Sequence, residues 1–537
     1  MNGKKRLKLK KFYFHPVTTF ILLTFLVIIL SGILSLIGVQ ANYTTLSPNG
    51  SLENNAVVVE NLFSFDGVQY MISTATKSFI SFTTLSNLLV ALIGLGICQA
   101  TGLLDVFIKR VFSKISYRKL IFIVIFLGTI SSLVNDIGYV ILIPLAAIFF
   151  HKTNRNPLAG IVAAFCGVAF GYSVTLFVGS MEANLVPTTE LAANLIDKHY
   201  HVALTSNLFI IFVTSIILSI IGTIIMENII IPRLGRYNTK NENEFAKTTE
   251  IDAIESVEET VEEEEQRKLK EDIYEKKGLK NAYIVAAIFT VFFIYALIPN
   301  LPFSGLLLNM QEKTYLGQVF GSVSYFQDGF THVVSLFFIL TGLAYGFGAK
   351  TITNDKELLL SSSKYIQEVT LLIPMVFFAT QFIAVFRKSN ISTLITAWGS
   401  NIIDSLEFTG IPLLILVVIV LAIVNLFNTT SVGKWAILAP VVIPKLMQSN
   451  ISPEFGQFIL RASDSMTNGL TPLLAYFIIY IGYMNIYNPN KNRPITVGRG
   501  LKIITPYCLI ISLVWIGIIL LWYLTGLPIG PGVGPTL

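Results

Sequence analysis

Long runs of apolar residues, separated by short polar segments, recur from one end of the chain to the other. A helix needs about 20 mainly apolar residues to cross the hydrocarbon core of a bilayer. Recurring runs of this kind indicate an all-α polytopic membrane protein. The pattern predicts nine transmembrane helices, at 20–36, 71–104, 157–185, 208–231, 281–298, 328–348, 365–386, 455–483 and 503–524.

Two further apolar stretches carry a polar break near the centre and are not expected to cross as one straight helix. In 120–150 the break lies at Asn135 and Asp136, and basic residues flank the stretch at both ends. Because basic residues favour the cytoplasm, this stretch returns to the side from which it started. The stretch 411–447 has its break at 428–431. We therefore predict two opposed re-entrant hairpins, the first entering from the cytoplasm and the second from outside.

Each predicted hairpin is followed by a helix that polar residues interrupt, at 157–187 in the first half and at 455–485 in the second. The same order in both halves indicates a repeat, and the opposite entry sides make it an inverted repeat. Inverted repeats with two broken helices are typical of secondary transporters with a site near the bilayer midplane. The predicted organisation is a first repeat at 1–232, an acidic cytoplasmic linker at 233–280, a connecting helix and external loop at 281–327, and a second repeat at 328–537.

Composition and charge agree with a membrane protein. The chain of 537 residues is 53% hydrophobic and only 13% charged, with a mean hydropathy of +0.69. The basic N-terminal segment places the N-terminus on the cytoplasmic side of a bacterial-type inner membrane. The alternation of basic loops leaves the C-terminus outside. Because these loops account for the net charge of +6, we expect no nucleic-acid partner.

The chain lacks the motifs of common hydrolases, zinc enzymes and nucleotide-binding loops. We therefore expect no enzymatic activity and no cofactor. Cys98, Cys166 and Cys508 all lie in apolar segments and lack metal-binding spacing. Without a nucleotide-binding domain, energy for transport has to come from an ion gradient, and the sequence leaves the choice between H⁺ and Na⁺ open.

Arg461 and Asp464 lie three positions apart in the second broken helix, beside its polar break. A charged side chain at membrane depth is costly unless it faces a cavity or a partner, so both are candidate functional residues. In one interpretation, Arg461 binds a substrate carboxylate through its guanidinium fork and Asp464 carries the coupling proton. The alternative is a structural salt bridge between the two that holds the broken helix together.

Polar residues near the breaks are the other candidates. Glu182 is either a proton carrier or a plain interfacial carboxylate, and Trp435 either stacks on an aromatic substrate or fills apolar space. The hairpin tips offer groups that suit an anion or Na⁺, although turn formation alone would also account for the first tip. The predicted contacts are substrate at Asn135, Asn428, Thr429, Thr430, Ser431 and Asn468, ion coupling at Asp136, Glu182 and Asp464, and Na⁺ at Asn135, Asp136, Thr430 and Asn468.

Five segments of the chain carry a more specific signal: NDIGYVILIPLAAIFF, NPLAGIVAAFCGVAFGYS, GKWAILAPVVIPKLM, SPEFGQFILRASDSMTNGLTPLLAYF and WYLTGLPIGPG. In order and spacing, over essentially the whole chain, they resemble the AbgT family of p-aminobenzoyl-glutamate and antimetabolite transporters. The resemblance implies nine transmembrane helices and two hairpins in a bowl-shaped homodimer. It also implies uptake of p-aminobenzoyl-glutamate or proton-driven export of sulfonamides.

The resemblance further implies roles for single residues. Functional positions of the family match Trp435, Pro453, Arg461, Asp464 and Pro472. Two positions depart from the family pattern. Glu182 stands where an aspartate is expected, which lengthens the acid by one methylene group. Val432 stands where a serine is usual, which removes one hydrogen-bonding group.

Residues and resemblance together predict ion-coupled transport of p-aminobenzoyl-glutamate or a related aromatic-amide or antimetabolite anion across the lipid bilayer. The direction, uptake or efflux, stays open. A dicarboxylate transporter of the wider ion-transporter superfamily is the alternative within transport, and it would not need Trp435. A membrane sensor that signals through the acidic loop is the alternative from a different class, although a sensor has no use for two opposed hairpins.

Overall fold

The computed structural model describes residues 14–112, 114–134, 136–172, 174–235, 261–321, 323–352, 354–490 and 493–537. The first half contains helices α1 (Pro16–Leu36), α2 (Phe65–Ile80), α3 (Thr83–Ala100), α4 (Leu103–Phe107), α5 (Tyr117–Ile130), α6 (Ile137–Lys152), α7 (Pro157–Phe170), α8 (Ser180–Ala193), α9 (Leu208–Ile225) and α10 (Ile231–Leu234). The second half contains α11 (Val261–Ala296), α12 (Tyr315–Phe320), α13 (Tyr325–Ala349), α14 (Asp355–Glu368), α15 (Leu372–Lys388), α16 (Ile391–Ser405), α17 (Gly410–Phe427), α18 (Ser431–Gln448), α19 (Pro453–Thr467), α20 (Phe477–Ile486) and α21 (Val497–Thr525). π-helical turns at Ile108–Phe112 and Met226–Ile230 extend α4 and α9, and 3₁₀ turns at Ser131–Val134 and Asn468–Leu470 extend α5 and α19.

The predicted class of helical membrane protein is confirmed. Within the described part of the chain, eight helical segments are long and apolar enough to cross a membrane. A ninth follows if α15 and α16, which are bent by 51°, count as one span. The eight include Tyr117–Val134 and Gly410–Phe427, which are the first arms of the two predicted hairpins. The exact set of spans and the re-entrant course of the hairpins therefore stay predictions.

The predicted first hairpin corresponds to α5 and α6, separated by a 3₁₀ turn and by Asn135, which lies outside the described residues. Ser116 caps α5, with its Oγ accepting the Lys119 N–H at 3.4 Å. Both helices pack against α7. The crossing of α5 and α7 is close, because a Cβ atom at Gly128 would lie 3.0 Å from the backbone of Gly167. Small residues thus set the distance between these two helices.

The predicted second hairpin corresponds to α17 and α18, with the helix interrupted at 428–430. Helix α17 packs against α19 as α5 packs against α7. The second arm of each hairpin also contacts the other half of the chain, since α18 packs against α8 and α6 packs against α20. This matched set of contacts is what an internal repeat predicts. The opposite orientation of the two repeats in the bilayer stays a prediction.

Both predicted broken helices are interrupted in the structure, but the second is interrupted at 471–476, because the polar cluster at 464–468, where the break was expected, stays helical. Helix α7 ends at Phe170 and α8 begins at Ser180, while α20 begins at Phe477 after the 3₁₀ turn that follows α19. Helix α8 packs against α19, so the second piece of one broken helix contacts the first piece of the other. This contact brings polar residues from the two halves of the chain together in the interior.

Some elements differ from the predicted all-α pattern. The predicted external segment forms a hairpin of two antiparallel strands, β1 (Gln40–Leu46) and β2 (Leu52–Val58). Its turn contains Asn49 and Gly50, and Gly50 has a φ of +77°, a conformation that suits glycine. Asn-Gly between two short strands is a strong hairpin signal. The prediction does not use this signal, because the segment is interpreted only as polar and external.

Three helices also differ from the prediction. Helix α14 lies mostly, and α16 entirely, outside the predicted spans, because their mixed polar and apolar composition gives no run long enough to span. Helix α11 begins at Val261 and continues through the predicted domain boundary at 280. The rest of the predicted acidic linker, at 236–260, lies outside the described residues.

Candidate substrate site

Helix α19 carries both charged residues predicted from the sequence into the protein interior. Ser452 caps the helix, with its Oγ accepting the Phe455 N–H at 3.4 Å. Pro453 follows at the first helical position, where a missing N–H does no harm. Every residue of α19 except the last is buried, and Arg461 and Asp464 are at most 1% exposed. Charges buried this deeply require partners.

Asp464 forms an ion pair with Lys434, a fully buried lysine in the first turn of α18. The Lys434 ammonium contacts Oδ1 of Asp464 and also donates to Oδ1 of Asn425. The hydroxyl of Ser431, at the start of α18, donates to Oδ2 of Asp464 at 2.5 Å. One carboxylate therefore binds a cation and a hydroxyl that both come from the tip of the second predicted hairpin.

Arg461 forms an ion pair with Glu182 in the first turn of α8. Nη1 of Arg461 contacts Oε1 of Glu182, whose Oε2 accepts the N–H of Gly179 at 3.0 Å. Nε and Nη2 of Arg461, which form the other edge of the guanidinium, are buried and have no hydrogen-bond partner among the described residues. Two parallel donors of this kind match the two oxygens of a carboxylate.

These pairs correct two interpretations of the sequence. The interpretation that Arg461 and Asp464 form a salt bridge with each other is wrong, because each pairs with a residue of another helix. Side chains three positions apart are able to meet on one helix, but here α8 and α18 each bring an opposite charge to α19. Glu182 is not a plain interfacial carboxylate either, since it is 2% exposed.

The two ion pairs bring two cations and two anions into the site, so their charges balance. Removal of ions from water is expensive, and their mutual attraction offsets this only when the geometry is good. Loss of one partner leaves an uncompensated buried charge, which costs about 3–5 kcal/mol. The two pairs therefore tie both α8 and the start of α18 to α19.

Trp435, next to Lys434 on α18, is fully buried. Its Nε1–H donates to Oγ1 of Thr189 on α8 at 3.0 Å, and the Thr189 hydroxyl donates to Oε1 of Gln457 on α19 at 2.7 Å. The indole thus fills the space between three helices and has its polar atom satisfied. The predicted stacking of Trp435 on a substrate requires these helices to separate and stays a prediction.

The other residues of the second tip bond mainly to each other. Oγ1 of Thr430 donates to Oδ1 of Asn428 at 2.6 Å, and Nδ2 of Asn425 donates to Oδ1 of Asn468 at 2.8 Å. Thr429 is half-buried and Thr430 is exposed. Thr430 and Asn468, both predicted for a Na⁺ site, thus bond to different residues.

The first tip lies against the break of the second broken helix. The side chain of Asp136, just before α6, hydrogen-bonds with the Tyr476 side chain. The Tyr476 ring stacks on Tyr139 of α6, with ring centroids 4.7 Å apart. Pro472 is half-buried in the same break. Asn135 lies outside the described residues, so its contacts with substrate or Na⁺ stay predictions.

Sequence reasoning missed Lys434, Asn425, Thr189 and Gln457. The first of these carried a usable signal, because a lysine inside the apolar stretch 411–447 is as costly at membrane depth as Arg461. Asn425 lies in the same stretch and carried a weaker one. Thr189 and Gln457 are neutral residues in polar surroundings, and only the packing of α8 on α19 shows that they meet.

Comparison with known proteins identifies the family. The model of the AbgT putative transporter family matches residues 10–537. The p-aminobenzoyl-glutamate transport protein of Escherichia coli (strain K12) is 28% identical over 523 residues, which are 97% of this chain and 94% of that protein. Among solved structures, the YdaH transporter of Alcanivorax borkumensis is 30% identical with a TM-score of 0.47, over 96% of this chain and 100% of that chain. MtrF of Neisseria gonorrhoeae, described as illuminating a class of antimetabolite efflux pumps, is 29% identical with a TM-score of 0.46, over 97% and 98%. The chain therefore belongs to the AbgT putative transporter family and is a membrane transporter, not an enzyme.

Proposed function

We propose that this chain is an ion-coupled secondary transporter of p-aminobenzoyl-glutamate or a related aromatic-amide or antimetabolite anion. The observation that carries this proposal is the free edge of Arg461. Its Nε and Nη2 atoms are buried where the two broken helices meet and lack a hydrogen-bond partner among the described residues. Buried donors without an acceptor are unfavourable. A substrate carboxylate supplies two acceptors at the spacing that this edge requires.

Trp435 supports an aromatic substrate. The indole lies between α8 and α18, the two helices that bring Glu182 and Lys434 to the site. When α8 and α18 separate, the indole face becomes available to stack on an aromatic ring. p-Aminobenzoyl-glutamate combines such a ring with two carboxylates, and the Escherichia coli relative is named for its transport.

We assign ion coupling to Asp464 and its partner Lys434. A proton on Asp464 removes the charge that holds the Lys434 ammonium, and Na⁺ bound at the same carboxylate competes with that ammonium. Either event weakens the attachment of α18 to α19 and favours a state in which the two helices are apart. Glu182 provides a second such contact, since a substrate carboxylate on Arg461 competes with it for the guanidinium.

Export is the second direction of transport that we consider. It is favoured by the similarity to MtrF, which is described with antimetabolite efflux pumps. Sulfonamides and related antimetabolites are therefore the second group of substrates to test. A dicarboxylate without a ring is the alternative substrate, and its transport would not depend on Trp435. The family is one of transporters, so we set aside the membrane sensor.

We further propose a homodimer in a bacterial-type inner membrane, with the N-terminus in the cytoplasm and the C-terminus outside. The basic N-terminal segment supports this orientation. Single cysteines introduced near each end and labelled with a membrane-impermeant maleimide test the orientation. The mass of the detergent-solubilised protein tests the dimer.

Flux of p-aminobenzoyl-glutamate into proteoliposomes, under imposed pH or Na⁺ gradients, tests the proposed function. We expect flux in the wild type, none above background in Arg461→Ala, and flux that no longer responds to the coupling gradient in Asp464→Asn. Arg461→Lys keeps the charge but loses the paired donors, so we expect a strongly raised KM. Absence of wild-type flux under every gradient and in both directions, with sulfonamides and dicarboxylates also tested, would overturn the proposal.

A further inference from the structure

A second polar feature lies away from the site around Arg461. A cavity of about 500 Å³ opens between α11 and the π-helical turn Ile108–Phe112. Its lining contains three basic residues, Arg110, Lys276 and Lys280, and no acidic one. The rest of the lining is apolar apart from Tyr283. A basic and apolar lining of this kind suits an amphiphile with an anionic head.

The position of the basic residues on α11 fits the border of a membrane. Lys276, Lys280 and Ile284 follow each other at four-residue spacing and so lie on one face of the helix. Lys280 is the last charged residue before a run without charge that extends to the end of α11 at Ala296. This arrangement is typical of basic residues that lie at the depth of lipid headgroups.

The charges around the cavity are only partly compensated. Nη2 of Arg110 binds Asp272 at 3.0 Å and Glu275 at 3.3 Å, and Lys276 binds Asp272 at 2.5 Å. Both carboxylates lie outside the cavity lining. Lys280 has no ion-pair partner among the described residues. Three cations thus face two carboxylates. The cation without a counter-charge is Lys280, which lies nearest to the uncharged part of α11.

An exposed apolar surface continues from the cavity along α11. Ile284 lies one turn beyond Lys280, and Ile288 and Val291 follow, each of them exposed. The opposite side of α11 is fixed against α13, where a Cβ atom at Gly348 would lie 2.7 Å from Cα of Gly278. Helix α11 therefore presents a fixed surface with a basic pocket at one end and an apolar stripe above it.

We propose that this cavity binds the phosphate headgroup of an anionic phospholipid, with Lys280 and Arg110 on the phosphate and one acyl chain along the exposed face of α11. Basic pockets between helices at a membrane border recognise such headgroups. The site is separate from the proposed transport site. It adds a specific lipid contact that bridges α11 and the π-helical turn Ile108–Phe112.

The test uses the full chain in detergent and dioleoyl phosphatidylglycerol as the probe, with bound lipid counted by native mass spectrometry. We expect Lys280→Ala to raise the Kd of the tightest phosphatidylglycerol site about fivefold, the factor for one basic residue at a membrane surface. Lys280→Arg keeps the charge and should bind like the wild type. Lys277→Ala is the matched control, because Lys277 lies on the same helix and outside the cavity lining.

Three results would overturn the proposal. Unchanged binding by Lys280→Ala would exclude the site. Equal weakening by Lys277→Ala would mean that phosphatidylglycerol responds only to general surface charge. Displacement of the lipid by inorganic phosphate would mean a site for free anions rather than lipid. The melting temperature of each variant without added lipid shows that a lost site does not reflect a lost fold.

Discussion

Lys434 and Asp464 form a fully buried ion pair that joins the first turn of α18 to the last turn of α19. Asn425, near the end of α17, completes the arrangement. Its Oδ1 accepts from Lys434, and its Nδ2 donates to the backbone carbonyl of Asp464 at 3.1 Å. Both arms of the second predicted hairpin therefore meet the broken helix α19 at one residue, Asp464.

The first prediction concerns the stability that this pair supplies. Lys434→Ala leaves the Asp464 carboxylate buried without a counter-charge, and we expect a loss of about 3–5 kcal/mol. The double variant Lys434→Met with Asp464→Leu removes both charges and should recover most of that loss. Thermal unfolding of Lys434→Met, Asp464→Leu and the double variant in one detergent gives the coupling between the two positions.

Lys388→Ala is the control for this experiment. Lys388 pairs with Glu60, and both side chains are partly exposed. A pair of this kind contributes at most about 1 kcal/mol. If Lys388→Ala lowered the melting temperature as much as Lys434→Ala, or if the effects at Lys434 and Asp464 simply added, the pair would not be the source of the stability.

Much of the fold follows from the spacing of polar residues within apolar runs. The breaks at 135–136, 171–180 and 428–431 were visible because a polar cluster inside such a run has no water to bind, whereas the polar cluster at 464–468 stays helical and lies just before the actual break at 471–476. Arg461 and Asp464 stood out for the same reason. The β-hairpin was missed because a water-exposed segment shows no comparable penalty, and only Asn49-Gly50 marked its turn.

The partners within the site were not predictable from the sequence. Arg461 and Glu182 are separated by 279 positions, and their pairing depends on how α8 packs against α19. Spacing along one helix pointed instead to a contact between Arg461 and Asp464. Lys434 carries the same signal as Arg461, a charge inside an apolar stretch, but the sequence does not show that Asp464 neutralises it.

The second prediction concerns the length of the acid at position 182. The Glu182 carboxylate reaches both Nη1 of Arg461 and the N–H of Gly179. Glu182→Asp is one methylene shorter and should lose one of these contacts, at about 1 kcal/mol, whereas Glu182→Gln should lose about 3–5 kcal/mol by leaving Arg461 unpaired. Melting temperatures should fall in that order. An aspartate variant as stable as the wild type would show that the additional methylene has no role in bridging the two groups.

The third prediction separates the indole ring of Trp435 from its N–H. Trp435→Phe removes the donor to Thr189 and keeps an aromatic ring, so we expect a loss of about 1 kcal/mol in stability and little change in the KM for p-aminobenzoyl-glutamate. Trp435→Leu should raise that KM as well. Trp515 is the control, because it is equally buried and its Nε1–H donates to the carbonyl of Phe170 at 3.1 Å. If Trp515→Leu raised KM as much as Trp435→Leu, the effect would reflect general loosening rather than contact with the substrate.

The fourth prediction tests the close crossing of α5 and α7. A Cβ atom at Gly128 would lie 3.0 Å from the backbone of Gly167, and backbone atoms are unable to rotate away as a side chain does. Gly128→Ala should therefore force the helices apart and lower stability by about 1–3 kcal/mol. At Gly517 of α21 nothing lies within 4 Å of the added atom, so Gly517→Ala should be neutral or stabilise by up to about 1 kcal/mol through its better helix propensity. Thermal unfolding of both variants compares the effect of one added methyl group in two helices of the same protein. A gain in stability by Gly128→Ala would mean that α5 and α7 are not held at this distance.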